Sequence, residues 1–134
     1  MDLHSRITAF VFHPLVQILI WLQFAAALTI FTYYATTPDA TVGSSPDVVL
    51  HFLGNFLLFL SARIAFLRFK SIWFVLIFAL IYGTAMEISQ HFLPTRYFQP
   101  TDLIANWLGV LGGLLLSFAM EFGYKKFIPT KKEK

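Results

Sequence analysis

Apolar residues run through this chain in four long stretches, Leu15 to Tyr34, Val48 to Leu67, Ile72 to Phe92 and Leu103 to Phe122. Each is long enough for a helix to cross a hydrocarbon core of about 30 Å, which takes roughly 20 residues. The pattern predicts an all-α polytopic membrane protein, a bundle of four transmembrane helices. The connections are short and the longest, Ala35 to Asp47, is only a loop, so residues 1–134 read as a single membrane domain. Ahead of the first span, Leu3, Ile7, Phe10 and Val11 recur at helical spacing, which predicts a short interfacial helix before Pro14.

Local signals agree with these boundaries. Ser45 is placed to cap a helix whose first position is Pro46, with Asp47 in a first turn that favours an anion. Pro94 closes the third helix, and Thr101 with Asp102 reopens the fourth after Pro100.

Composition strengthens the membrane reading. The chain is 57% hydrophobic and 13% charged, against about a quarter charged in soluble domains. The first stretch is too long for a signal-peptide core of about 7 to 15 residues, and it ends in Tyr33 and Tyr34, which suit a membrane interface. With no cysteine, disulfide and thiol chemistry are excluded. A pI of 9.3 raises nucleic acid as a partner, but the basic residues stand beside the spans, where they set topology instead. Nine of the ten, Arg6, Arg63, Arg68, Lys70, Lys125, Lys126, Lys131, Lys132 and Lys134, fall on one side of a four-span arrangement, and Arg96 alone falls on the other. The positive-inside rule therefore puts both termini in the cytoplasm and the Leu93 to Thr101 loop outside. Arg63, inside the second stretch, is expected to snorkel to the cytoplasmic interface. The Lys-rich tail is expected to be flexible and to lie against anionic lipid.

Polar residues within the spans gather toward that outer side. On the second span Asp47, His51 and Asn55 are four and four apart; on the third, Glu87, Gln90 and His91 share a face; on the fourth, Asp102, Asn106, Gly109 and Gly113 run four, three and four. An acid at a helix centre costs about 2.5 to 3.5 kcal/mol even on the lenient insertion scale, so these stripes must turn inward and meet. Gly109 and Gly113 form a GxxxG ridge for close backbone approach, and Gly54 and Gly83 leave similar notches. The expectation is an outward-opening vestibule over a tightly packed floor, with Arg96 on the loop above.

Each residue also has a plainer use. Asp47 and Asp102 serve as first-turn helix acids, Asn55, Gln90 and Asn106 as interhelical glue, and His91 as a solvated tip. Glu87 and His51 are the hardest to explain in that way, because an ionisable group inside a span is a functional candidate by default.

With these residues in view, the chain resembles the VanZ-like family of small bacterial membrane proteins, named for a protein associated with teicoplanin resistance. The resemblance rests on Asp47 and His51, on Glu87-Ile-Ser-Gln90, on Arg96, and on Asp102-Leu-Ile-Ala105-Asn106-Trp107-Leu108-Gly109. It covers roughly Asp47 to Gly113. The chain departs from the family in carrying Val48 where many members have Lys after the first Asp. The resemblance implies a multi-pass protein of the bacterial inner membrane, linked to the cell envelope and to glycopeptide resistance. It implies a site rather than a named reaction.

Three uses of the site stay open. In an enzyme acting on a lipid-linked or envelope substrate, Arg96 binds an anionic head group with Gln90, Asn106 and Asn55 lining the pocket. Glu87 or His51 then acts as general base or acid, and Asp47 or Asp102 orients the histidine. In a binding or accessory protein, the same residues recognise a lipid or an antibiotic without chemistry. In a structural network they only specify the bundle. No cofactor is expected: Asp47, His51, Glu87 and Asp102 are types that bind a divalent metal, but no HExxH-like pair accompanies them.

Overall fold

The computed structural model describes residues 3–37, 46–69, 71–94 and 96–127, and of Pro46, Asp47, Phe69 and Phe127 the backbone alone. The expected cap at Ser45 and the Lys-rich tail beyond Phe127 lie outside the described residues. Among the described residues the regular structure is helical and contains no strand. A nine-residue helix α1 (Leu3–Val11) precedes four long ones, α2 (Pro14–Thr36), α3 (Pro46–Ala65), α4 (Ile72–Gln90) and α5 (Pro100–Phe127). A 3-10 turn, Leu67–Phe69, follows α3. Helices α2 to α5 are each long and apolar enough to cross a membrane.

Proline opens three of the four long helices, where its missing N–H costs nothing. Ser71 opens α4 instead, its side chain accepting the Phe74 N–H at 3.3 Å. The α4–α5 boundary differs from the sequence pattern in two places. Helix α4 stops at Gln90 rather than reaching Phe92, because the N–H groups of His91, Phe92 and Leu93 each turn to the carbonyl three residues back. Helix α5 begins at Pro100 rather than Leu103, because the Gln99 carbonyl takes the N–H groups of both Asp102 and Leu103.

Helices α3 and α5 form the closest pair, α4 packs on both, and α2 lies outermost against α3 and α4. Glycine sets that order. A Cβ on Gly109 would lie 2.2 Å from the Phe52 carbonyl oxygen, and one on Gly113 would lie 2.8 Å from the Phe59 ring. The ridge therefore packs on α3 inside the bundle, as its spacing predicts. Gly54 receives the Phe31 ring of α2 in the same manner. Below these contacts Leu58, Phe59, Ala62, Val75, Ala79, Val110 and Leu114 make the core. Phe66 packs edge-on against Trp21, Phe24 and Phe74, closing the end near the α3–α4 turn. Large apolar side chains such as Leu19, Leu57, Ile77, Ile81 and Leu115 face outward, where lipid rather than water is the compatible solvent.

Polar contacts tie the helices at other levels. Gln23 of α2 exchanges hydrogen bonds with Ser61 of α3, and the Thr32 hydroxyl meets that of Tyr82 on α4. Arg63 does not simply snorkel. Its Nη2 donates to Glu121 Oε1 of α5 at 2.6 Å, so the cation finds its partner within the bundle. His4 Nδ1 lies 2.6 Å from the Tyr124 hydroxyl, which joins α1 to the end of α5.

Candidate functional site

At the opposite end of α3 from Arg63, about 18 Å away at 1.5 Å per residue, the polar stripes of α3, α4 and α5 converge. His51, Asn55, Glu87, Gln90, Asp102 and Asn106 are all buried. The helical periods explain which residues arrive there. His51 and Asn55 are one turn apart on α3; Asp102 and Asn106 are one turn apart on α5; Gly83 and Glu87 are one turn apart on α4. Glycine at position 83 lets the three backbones close around the amides, since a Cβ there would lie 2.6 Å from Asn55 Oδ1.

Asn106 is the hub. Its Nδ2 donates to the Gly83 carbonyl at 3.3 Å, which turns Oδ1 toward α3, where it accepts from Asn55 Nδ2 at 2.6 Å. Asn55 Nδ2 also donates to the His51 carbonyl. His51 Nδ1 lies 3.0 Å from the same Asn106 oxygen. An oxygen already held as an acceptor requires a donor there, so Nδ1 is the nitrogen that donates to it.

Acids flank that imidazole on both edges. Glu87 Oε2 lies 4.0 Å from Nδ1, and Asp102 Oδ2 lies 3.7 Å from Nε2. The other Glu87 oxygen accepts the Gln99 backbone N–H at 2.9 Å. One carboxylate thus anchors the start of α5 and faces the histidine at once. An atom of each of His51, Glu87 and Asp102 lies within 4.8 Å of the other two.

The cluster opens sideways onto a groove of about 560 Å³ between α2 and α3. Its walls are apolar, with Ile30, Phe31 and Tyr34 on one side and Leu50, Leu53 and Leu57 on the other; its polar end is formed by His51, Gln90 and Arg96. Gln90 Nε2 is buried with no acceptor among the described residues. Arg96, on the loop after α4, is half-buried beside it.

Most of the residues singled out by their spacing therefore share one place, with two exceptions. The Asp47 side chain lies outside the described residues. Arg96 stands at the groove rather than over a central vestibule. His91 is exposed at the C-cap of α4, in keeping with its reading as a solvated tip. Spacing alone missed two partners, the Gly83 carbonyl and the Gln99 N–H. Gly83 was legible as a notch one turn before Glu87, but no local pattern marks Gln99.

These features define a multi-pass α-helical membrane protein with a buried polar site at one end of its bundle. The chain belongs to the VanZ/LLP1 family, whose model matches residues 4–121. No curated protein and no solved structure matches it.

Proposed function

We propose that this protein recognises a membrane lipid, or a lipid-linked envelope component, with an anionic head group. Its site faces the outside of the bacterial plasma membrane and both termini face the cytoplasm. The observation that carries the reading is the shape of the groove: an apolar slot along α2 and α3 ends on Gln90, Arg96 and His51. Its volume is within the range of about 300 to 1,000 Å³ usual for ligand sites. A soluble head group alone has no use for the apolar length, and a bare hydrocarbon none for the arginine. A lipid chain in the slot brings its phosphate or carboxylate to Arg96, with the Gln90 amide supplying a second donor. The nine-to-one distribution of basic residues supports the orientation.

The test is lipid retention. Purified in mild detergent from a mixed-lipid membrane, the protein is expected to keep anionic lipid. Arg96→Gln is expected to lower retention about tenfold, the loss of roughly 1.4 kcal/mol of binding. Filling the slot with Ala27→Leu, at a residue that lines it on α2, is expected to do the same. Retention unchanged in both variants would reject the reading.

Catalysis at the same site is a second reading, favoured by the His51 ring between Glu87 and Asp102. A histidine so oriented is suited to moving a proton at the head group. Under this reading His51→Gln keeps the lipid and loses turnover. A role in glycopeptide resistance, suggested by the family resemblance, is compatible with either reading, and raised teicoplanin tolerance in a Gram-positive host expressing the protein, abolished by Arg96→Gln, tests it.

A further inference from the structure

We infer that His51, Glu87 and Asp102 bind one divalent transition-metal cation, with Zn²⁺ the natural probe. The sequence pattern carries no metal signature, but the fold assembles a donor set that no single helix holds: an imidazole nitrogen from α3, a carboxylate from α4 and a carboxylate from α5. One atom of each lies within 4.8 Å of the other two. All three side chains are at least nine-tenths buried, at 8%, 0% and 2% exposed. Ligands bound to zinc at about 2.0 to 2.2 Å stand roughly 3 to 4 Å apart, so a small contraction closes the set. His51 Nε2 is already 3.7 Å from Asp102 Oδ2.

The surroundings are those a metal-binding histidine requires. Asn106 Oδ1 lies 3.0 Å from Nδ1 and orients the ring, whose Nε2 faces Asp102. The Gln99 N–H holds one oxygen of Glu87 while the other faces the ring. Mixed nitrogen and oxygen donors suit zinc or manganese better than calcium, which takes six to eight oxygens. Three protein ligands leave a fourth position, and His51 also lines the groove. An anionic oxygen of a bound lipid is the fitting fourth ligand. That last point rests on the proposed lipid function, whereas binding of the metal by itself does not.

The test uses the full chain in detergent, stripped with a chelator, freed of lipid, and titrated with Zn²⁺ alone while bound metal is counted by elemental analysis. Near-stoichiometric zinc is expected, with affinity lowered at least about tenfold in Glu87→Gln and in Asp102→Asn. Substituting Co²⁺ is expected to give a visible spectrum in the native protein that Asp102→Asn removes. His91→Gln, at an exposed position, is expected to bind zinc as the native protein does. Thermal unfolding without metal verifies that each variant is folded, and His51→Gln replaces any that is not. Substoichiometric zinc in the folded native protein, or affinity unaltered by both carboxylate variants, would overturn the site. Because no lipid is present, failure here leaves the lipid reading to its own test with Arg96→Gln.

Discussion

The Phe52 carbonyl of α3 passes so close to Gly109 of α5 that a Cβ on the glycine would lie 2.2 Å from its oxygen. Backbone, unlike a flexible side chain, has no second rotamer, so any larger residue forces the two helices apart. These helices also carry His51, next to Phe52, and Asp102, two turns before Gly109. Close packing at the glycine is therefore a condition for the polar site.

Gly109→Ala is expected to lower thermal stability by an amount on the order of 1–3 kcal/mol, the usual cost of overpacking, and Gly109→Leu to prevent folding in mild detergent. Gly123→Ala is the control, since nothing lies within 4 Å of a Cβ there. Tryptophan fluorescence during heating reads both. Equal stability of the Gly109 and Gly123 variants would separate α5 from α3.

Glu87 and Arg96 are expected to be coupled. Glu87 lies in the last turn of α4 and Arg96 on the loop that leads to α5, and a head group that draws on Arg96 competes with the acid. A double-mutant cycle on Glu87→Gln and Arg96→Gln, read as melting temperature and as anionic-lipid retention, is expected to show coupling in both. Coupling in stability alone reduces the pair to a pin for the turn. Additivity in both removes the interaction.

The Arg63–Glu121 pair is expected to act on stability only. Its arginine is 15% exposed and its glutamate 41%, so solvent screens part of the attraction and Glu121→Gln should cost about 1 kcal/mol. Lipid retention should not change, because the pair and His51 are about 18 Å apart along α3. A loss of retention at unchanged stability would contradict this separation.

Topology is directly testable because the chain has no cysteine. On intact cells an impermeant thiol reagent is expected to label Tyr97→Cys, which is exposed beside the α4–α5 turn, and not Lys132→Cys. The reverse pattern would turn the site toward the cytoplasm.

Four spans, their order and the shared end of the polar residues were legible in the residues alone, for a simple reason. In lipid, hydropathy over about 20 residues and a period of 3.6 are dictated by solvent and by the helix itself. They need no partner to be read. The same reasoning located the Gly109–Gly113 ridge and grouped His51 with Asn55 and Asp102 with Asn106.

What only the tertiary structure decided were relations between helices. That Arg63 meets Glu121, that Gln99 anchors Glu87, and that Asn106 orients the ring of His51 all depend on which faces oppose each other and at what height. Residues 55 positions apart, as His51 and Asn106 are, share no local pattern. The donor set of His51, Glu87 and Asp102 is the clearest case. Each residue type is visible in its own helix, but only the packing of three helices brings one atom of each within 4.8 Å of the other two.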